Sequence, residues 1–398
     1  MPNEVSIVIP CRDDNLAIFK KTLDAIGLQD NQPSEIIIVD SSEQGHIKEF
    51  LTKHKLSNFI KYKSIEPSFA GRSTNIGIQM SRYNLVALLD TKTIPISSWL
   101  SNYLNYIKKE NVNIVFGSTI FGFSNSFQRA VRAASYGAIA HETVPGSLFY
   151  KEIGLKIQFK ENLRAGYDLD WRERIKKSNS WYLPSKNYIT YKQFPNSIID
   201  LIKKYFIYSF YTGLISSQRR LKDLYFALML TITALLIPRW NFMLSGWDQN
   251  DLYIPDITKK YFLSLIIMFL AATLLSLVLQ NNIRNSLGYK TLKYIVFIFM
   301  FYSVFRWNAE IALWAEDAAL YIPHVTKIFI ICVFIMSIII RGVIKPLQKK
   351  EDWKYLFPLR WLLVGSIGLI MDIAKAPGFI FGSIRGQLNQ FRLIRFDD

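Results

Sequence analysis

The sequence predicts an α/β domain with a mostly parallel sheet and helices on both faces, followed by an α-helical transmembrane region. From Val5 to about Gly117, short apolar runs alternate with stretches whose apolar residues recur at helical spacing. Continuous apolar strands separated by helices are typical of a parallel sheet that is buried on both faces. From Leu221 onward, long apolar segments follow one another with charged flanks, which is the pattern of membrane helices.

Composition supports a soluble part joined to a membrane part. A length of 398 residues exceeds one ordinary domain, and a hydrophobic content of 50% is high for a wholly soluble protein. The net charge of +17 comes without zinc spacing, a basic helix with heptads or an aromatic RNA-binding signature, so no nucleic acid partner is predicted. An anionic membrane surface or a phosphate-bearing substrate explains the charge. The two cysteines, Cys11 and Cys332, indicate neither a disulfide framework nor a metal cluster.

Five strands are predicted in the N-terminal domain, which we place at residues 1–195. They are VSIVIP from Val5, EIIIVD from Glu35, FIKYKSI from Phe59, NLVALLD from Asn84 and NIVFGS from Asn113. Stretches between them, such as LAIFKKTLDAI, have helical spacing. Ligands of such sheets bind beyond the carboxyl ends of the strands. The candidate residues there are Arg12, Asp13 and Asp14 after the first strand, Asp40 after the second and Asp90 after the fourth.

Residues 196–222 are predicted to form an amphipathic helix on the membrane face. Its apolar and aromatic residues at helical spacing are Ile198, Ile199, Ile202, Tyr205 and Phe206, and its basic residues are Lys203, Lys204, Arg219, Arg220 and Lys222. Such a pattern is typical of an interfacial helix. The alternative is a core helix of the N-terminal domain.

About four transmembrane helices are predicted within residues 223–341. They are LYFALMLTITALLIP, YFLSLIIMFLAATLLSLVL, LKYIVFIFMFYSVF and KIFIICVFIMSIII. The loops between them alternate between basic and neutral or acidic, so the positive-inside rule places the N-terminal domain and residues 342–398 in the cytoplasm. VSIVIP is too short for the core of a signal peptide. The predicted location is the cell (inner) membrane, as a multi-pass protein. The run WLLVGSIGLIMDI from Trp361 contains Asp372 and is predicted to be interfacial or re-entrant.

Five motifs resemble those of the inverting, membrane-bound glycosyltransferases of family 2, which have the GT-A fold. VSIVIPCRDD resembles the opening strand and turn, EIIIVDSSE the second strand with its nucleotide-binding aspartate, and AGRSTNIGI the basic-Asn-Gly segment. LLDTKTIP occupies the place of the Asp-x-Asp metal motif, and FKENLRAGYDLDWRERI resembles the acidic segment with the catalytic base. The resemblance covers roughly the first 200 residues. It implies transfer of a sugar from a nucleotide-sugar with inversion.

The resemblance implies a set of residues that bind the nucleotide-sugar. They are Pro10, Arg12, Asp13, Asp14, Asp40, Arg72, Asn75, Asp90 and Lys92. A carboxylate such as Asp40 can accept hydrogen bonds from a base imide or a ribose hydroxyl; the alternative is a cap on the next helix. Arg72 and Asn75 lie at the start of a predicted helix, where backbone N–H groups and the guanidinium together can bind a diphosphate. The alternative is a solvent-exposed helix start without a ligand.

By motif alignment, Asp168 is the base that takes the proton from the acceptor hydroxyl. Asp170 follows, and Arg172 shares a helix face with Asp168, so the two could instead pair as a surface salt bridge. The segment HETVPGSLFYKE resembles the acceptor-side loop of the family, and His141 and Glu142 are its candidate contacts.

Lys92 stands where the family carries the second aspartate of its metal motif. The resemblance implies a divalent metal, Mg²⁺ or Mn²⁺, with Asp90 as a ligand, but Lys92 repels a cation at that place. Three alternatives remain: a metal held by Asp90 and other groups, metal-independent catalysis assisted by Lys92, or binding without turnover.

The predicted partners are a nucleoside-diphosphate sugar, a lipid-linked or polyprenyl acceptor and the membrane. The predicted role is cell-surface polysaccharide or glycolipid biosynthesis. One alternative is a polyprenyl-phosphate glycosyltransferase, whose anionic acceptor needs no base. The other is a catalytically inactive membrane protein that binds nucleotide-sugar or acts as a scaffold.

Overall fold

The computed structural model describes residues 4–43, 46–192, 194–215 and 334–390. The first three ranges contain a sheet domain and the long helix that follows it. The last range contains helices that pack against both. Three of the four predicted membrane helices, and the start of the fourth, lie outside the described residues.

Within the described ranges, nine strands form one sheet. The strands are β1 (Val5–Cys11), β2 (Glu35–Asp40), β3 (Ile60–Ser64), β4 (Leu85–Leu88), β5 (Thr93–Pro95), β6 (Ile114–Phe121), β7 (His141–Tyr150), β8 (Trp181–Tyr182) and β9 (Ile189–Tyr191). Their order is β3-β2-β1-β4-β7-β6-β9-β5, and β8 pairs with β6. All five predicted strands are present, with ends shifted by up to three residues.

The prediction of a mostly parallel sheet is correct for β3, β2, β1 and β4, and β6 also pairs in parallel with β8 and β9. It needs correction at three other pairs. β7 runs antiparallel to both β4 and β6, and β5 runs antiparallel to β9, so the whole sheet is mixed. The segment HETVPGSLFYKE was expected to be an acceptor-side loop, but its first ten residues form β7; Pro145 and Gly146 interrupt the alternating pattern of a strand. Gly146 has φ of +90°, a conformation that favours glycine, and the register of β6 against β7 shifts nearby.

Helices cover both faces of the sheet, as predicted. The helices of the domain are α1 (Leu16–Gly27), α2 (His46–Thr52), α3 (Ala70–Met80), α4 (Trp99–Lys109), α5 (Ser126–Ser135), α6 (Lys151–Lys156) and α7 (Tyr167–Ser178). In β1, Ile7 and Ile9 pack with α1, α2 and α4, whereas Val8 packs with α3, α6 and α7. Alternate residues of a strand point to opposite faces, so an uninterrupted apolar strand is buried on both sides.

The remaining helices form a third cluster against α5. They are α8 (Ile198–Leu214), α9 (Lys345–Gln348), α10 (Trp353–Leu356) and α11 (Arg360–Gln390), and a π-helix at Ile340–Ile344 precedes α9. Leu201 and Tyr205 of α8 pack with α5, α10 and α11. The outer side of α8 leaves Ile198, Ile199 and Ile202 exposed. A helix therefore occupies residues 198–214 of the predicted range 196–222, with one side packed and one apolar side open. The predicted basic residues Arg219, Arg220 and Lys222 lie outside the described residues.

α8 and α11 approach each other at backbone distance. A side chain at Gly378 would overlap the carbonyl oxygen of Phe206, and one at Gly382 would overlap that of Phe210. Small residues four positions apart permit such close packing of two helices. This contact fixes the position of α8 relative to the C-terminal helices.

The run from Trp361 lies in α11, a helix of 31 residues. This helix is much longer than the short interfacial or re-entrant segment that the sequence predicts. Asp372, which suggested an interruption, pairs with Arg341 at 3.0 Å and with Lys375 at 3.3 Å, so its charge is neutralised within the packed helices. Among the described residues, α11 from Arg360 to Gly386 is the one helix long and apolar enough to cross a membrane by length and composition, and half of an apolar 18-residue stretch within it is buried.

Candidate active site

A cavity of about 540 Å³ opens at the carboxyl ends of β1 and β4. Its polar and charged lining residues include Arg12, Asp13, Asp14, Ser41, Ser68, Ser73, Thr74, Asp90 and Lys92. Pro10, Arg164 and Tyr167 also line it. This is the position where ligands bind in open α/β sheets. The structure therefore brings together Pro10, Arg12, Asp13, Asp14, Asp90 and Lys92 from the predicted nucleotide-sugar set.

The turn after β1 is held in an unusual backbone conformation. Asp13 has φ of +46°, in the left-handed region that aspartate tolerates better than most residues. Its N–H donates to Oγ of Ser42 at 2.8 Å. The N–H of Arg12 donates to Oδ2 of Asp14 at 3.0 Å, so the turn directs the Asp14 carboxylate toward the cavity. Backbone strain of this kind clusters at functional sites.

Asp90 lies in a tight turn after β4. Its Oδ1 accepts hydrogen bonds from the Thr91 hydroxyl at 3.1 Å and from the Lys92 N–H at 3.2 Å. The Asp90 N–H donates to Oγ1 of Thr93 at 2.8 Å. Burial raises the pKa of Asp90 above its ordinary value, and the Asp14 carboxylate adds to this, while the Lys92 ammonium opposes it.

The Lys92 ammonium forms an ion pair with Asp14, at 2.9 Å from Oδ1. Burial alone would lower the pKa of Lys92, but the carboxylates of Asp90 and Asp14 outweigh it and raise that pKa. Lys92 is therefore a cation that lines the cavity, paired with Asp14 and influenced by the charge of Asp90.

The N-terminus of α3 forms another wall of the cavity. Its N-cap residue, Phe69, makes no side-chain capping hydrogen bond, and Ser68, Phe69 and Ala70 line the cavity. The hydroxyls of Ser68 and Ser73 are buried and have no hydrogen-bond partner within the part of the chain that the structure describes. Buried polar atoms usually have partners. Because these hydroxyls lie beside a helix start without a capping side chain, a polar ligand is the natural source of their missing hydrogen-bond partners.

Three of the predicted nucleotide-binding residues lie outside the cavity lining. Asp40 is buried, and its carboxylate accepts hydrogen bonds from the Tyr62 hydroxyl at 2.7 Å and from the Ser42 N–H at 2.9 Å. Asn75 is buried and binds the backbone of Phe159 in both directions at 2.9 Å. Arg72 is exposed on α3. These contacts give Asp40 and Asn75 a role in holding the walls of the cavity.

α7 begins beside the cavity. Tyr167, its first residue, lines the cavity, and Asp168 follows with its side chain partly exposed. Within the described ranges, Asp168 makes no hydrogen bond and no ion pair. Asp170 differs: it is buried and pairs with Lys160 and with Arg174, each at 2.8 Å. Of the two aspartates, Asp168 is the one whose carboxylate is free to act on a ligand.

None of the four predicted acceptor-side residues lines the cavity, and two of them, Glu142 and Arg172, form an ion-pair network with Lys176. Arg172 does not pair with Asp168; it donates to Oε1 of Glu142 at 3.1 Å, and Lys176 binds Oε2 at 2.7 Å. Glu142 belongs to β7, so this network ties α7 to the sheet. The Nε2 atom of His141 lies 2.7 Å from the carbonyl oxygen of Tyr136, and burial lowers the pKa of His141.

Two residues of α8, Lys204 and Tyr208, interact electrostatically with charged residues of the site, which the sequence motifs did not predict. Burial raises the pKa of Tyr208, and the nearby charge of Asp168 adds to this. Burial and the neighbouring Lys92 ammonium lower the pKa of Lys204 to about 8. Motif spacing could not reveal this, because α8 follows the last motif and reaches the site only through its packing on α5 and α11.

The residues present do not fit a divalent metal in the family's usual position. A second carboxylate is missing where Lys92 stands, and the ammonium there would repel a cation bound by Asp90. Among the described residues, no three side chains of His, Cys, Asp or Glu are placed to share a metal ion. The predicted ligand Asp90 has Lys92 as its charged neighbour instead.

The family model of glycosyl transferase family 2 matches residues 6–170. That range contains the strand ends, α3 and the start of α7, which together build the cavity. Residues 6–170 form a family 2 glycosyltransferase domain. The resemblance predicted from five sequence motifs is thereby confirmed for this part of the chain.

Two proteins to which this chain is similar are a glycosyltransferase of Haloferax volcanii and TarS of S. aureus. The glycosyltransferase AglE of Haloferax volcanii is 26% identical over 186 residues, or 43% of this chain. The match spans 60% of the length of that relative. Crystal structures of S. aureus TarS 1-349 in complex with UDP-GlcNAc and with UDP are each 12% identical, cover 77% of this chain and 92% of the other, and have TM-scores of 0.42 and 0.40.

Proposed function

We propose that the chain transfers a sugar from a nucleoside-diphosphate sugar to an acceptor hydroxyl with inversion. The observation that carries the proposal is the cavity of the family 2 domain, where cations and unpaired serine hydroxyls meet at the carboxyl ends of β1 and β4. A nucleotide-sugar is anionic at its diphosphate and rich in hydroxyls elsewhere. Lys92 and Arg164 suit the first feature, and Ser68 and Ser73 suit the second.

The nucleotide is proposed to lie along the β1 turn and the α3 N-terminus. Pro10, Arg12 and Asp13 line this side, and the backbone N–H groups at the start of α3 are directed toward an anion or a ribose hydroxyl. Asp40 and Asn75 support this wall from behind through their buried hydrogen bonds.

Asp168 is proposed to act as the general base. In an inverting transfer, the acceptor oxygen forms a bond to the anomeric carbon while the bond from that carbon to the phosphate oxygen breaks. The electron pair of the broken bond stays on the diphosphate, and the acceptor proton passes to a carboxylate. Asp168 follows Tyr167, which lines the cavity, and its carboxylate has no competing partner among the described residues.

The acceptor is proposed to be lipid-linked or delivered by a membrane. α8 has exposed apolar residues on one side, packs on α11 and has Tyr208 near Asp168. A helix with these properties suits the surface of a bilayer. We therefore propose a membrane-bound enzyme with its domain in the cytoplasm, acting in cell-surface polysaccharide or glycolipid biosynthesis. The multi-pass arrangement remains a prediction from the sequence.

The experiment is a panel of UDP-, GDP-, ADP-, CDP- and TDP-sugars offered to the purified full chain in detergent, with and without a membrane lipid extract. We expect one donor to be consumed, with much faster consumption when lipid is present. An unchanged rate with lipid would contradict a lipid-linked acceptor. Absence of turnover together with nucleotide binding would favour a binding or scaffold protein, and the glycosyltransferase proposal would fall.

A further inference from the structure

Lys92 occupies the position of a metal-binding aspartate, and its ammonium lies inside the cavity, 2.9 Å from Asp14. We propose that this ammonium replaces a divalent cation and binds the diphosphate of the nucleotide directly. The proposal rests on the nucleotide-sugar function proposed above and names the group that binds the leaving diphosphate.

The charges around the cavity require a cation near the diphosphate. Asp13, Asp14 and Asp90 all line the cavity, and a diphosphate would add further negative charge beside them. In a crevice, charges are screened less than on an open surface. The ion pair with Asp14 and the turn that follows Asp90 place the basic side chain of Lys92 among these carboxylates.

An ammonium can bind both a carboxylate and a phosphate. It has three N–H donors, and the contact with Oδ1 of Asp14 uses one of them. The other donors remain for phosphate oxygens, so Asp14 can hold the ammonium in place while the ligand binds. Asp14 is itself fixed, because its Oδ2 accepts the Arg12 N–H. Asp14 is therefore a positioning residue for Lys92.

A second ammonium adds to the same charge. The Nζ atom of Lys204 in α8 lies 5.4 Å from the centre of the Tyr208 ring. Burial and the charge of Lys92 lower the pKa of Lys204, and the charge of Asp90 opposes this. Two ammonium groups carry the charge of one divalent ion. They repel each other when no anion is bound, which a bound diphosphate would relieve. The electron pair that the sugar leaves on the diphosphate would be stabilised in the same way.

The test measures binding of UDP, GDP, ADP, CDP and TDP by calorimetry, first in EDTA and then in Mg²⁺. We expect the wild-type full chain to bind one of them with similar affinity in both buffers. Lys92→Met should lower that affinity in EDTA by about tenfold to a hundredfold, the range for a hydrogen bond to a charged group. Lys92→Arg, which keeps the charge, should retain most of it.

Two controls separate a ligand contact from a structural role. Binding of the matching nucleoside, which has no phosphate, should not change in Lys92→Met if the fold is intact. Lys55→Met removes a lysine that is 3.6 Å from Asp24, outside the cavity, and should leave diphosphate binding unchanged. Equal losses for nucleoside and diphosphate would overturn the proposal.

The result also distinguishes this proposal from the proposed function. Diphosphate binding by the wild type only in Mg²⁺ would overturn the role of Lys92 and leave the glycosyltransferase proposal standing. No binding of any nucleotide in either buffer would overturn both. Lys92→Asp, which restores the Asp-x-Asp pair, should convert binding from metal-independent to metal-dependent.

Discussion

Arg132 of α5 and Glu351 form a buried ion pair, with Nη2 of the arginine 2.6 Å from Oε1 of the glutamate. The two residues are 219 positions apart in the chain. Arg129, one turn earlier, lies 3.9 Å from the ring of Tyr355. The segment before α11 is therefore joined to the sheet domain through α5, although the sequence reading placed residues 342–398 in a separate segment.

The ion pair predicts a large loss of stability when one partner is removed. Glu351→Gln leaves Arg132 buried without a countercharge, and breaking a buried pair costs about 3–5 kcal/mol. Thermal unfolding in detergent measures the loss. The double variant Arg132→Met, Glu351→Leu should recover much of it, because neither charge then remains buried. Glu49→Gln, which breaks an exposed pair with Lys53, should have little effect.

The proposed base predicts a defect in rate with little change in binding. Asp168→Asn keeps the size of the side chain and removes the proton acceptor, so transfer should fall by about 10²–10⁴-fold. Nucleotide affinity should change little. Asp30→Asn alters an exposed aspartate on the surface and serves as the control. A wild-type rate in Asp168→Asn would favour a polyprenyl-phosphate acceptor, whose oxygen is already anionic.

The network around Glu142 predicts a structural effect. Glu142→Gln removes the countercharge of Arg172 and Lys176, so the free energy of unfolding should fall by about 1–3 kcal/mol. Denaturant unfolding and acceptor kinetics on the same variant separate the possible roles. A raised KM for the acceptor with unchanged stability would support the acceptor contact implied by the family resemblance instead.

The close packing of α8 on α11 predicts that Gly382 cannot accept a side chain. In Gly382→Ala the added carbon would overlap the carbonyl oxygen of Phe210, and backbone cannot give way as a flexible side chain can. We expect a loss of about 1–3 kcal/mol in thermal unfolding. Gly27→Ala is the matched control, since its carbon would meet side-chain atoms at 3.4 Å or more. Equal stability of the two variants would contradict the contact.

The lowered pKa of Lys204 predicts a specific dependence of stability on pH. In the folded protein Lys204 loses its proton near pH 8, whereas the ordinary pKa is 10.5. Its charge therefore opposes folding below pH 8, and this penalty fades as pH rises from about 8 to 10.5. Lys204→Met should be more stable than the wild type at about pH 7, by a margin that shrinks toward about pH 9.5. A margin that grows with pH would show that the ammonium is stabilising.

The sequence by itself determined where the parallel strands end and that several charged residues meet at those ends. Apolar strands such as β1 and β2 are buried on both faces, and a short run of consecutive apolar residues is enough to predict this burial. Because parallel strands end at one edge, Asp14, Asp90 and Lys92 were predicted to share a site, and all three line the cavity. β7 was not predicted as a strand because Pro145 and Gly146 break the local pattern. Its pairing with β4 and β6 makes it a strand in spite of that break.

Only the tertiary structure decided which charged groups pair. Helical spacing brought Arg172 near Asp168 in the prediction, but Glu142 on β7 is its partner. Lys92 was recognised as an exception in a metal motif, yet its contact with Asp14 depends on how two separate loops approach each other. Coulomb attraction depends on distance in space. The sequence sets only how many positions separate two charged residues along the chain. The packing of the sheet and helices sets the distance between them in space, and that distance decides which groups pair.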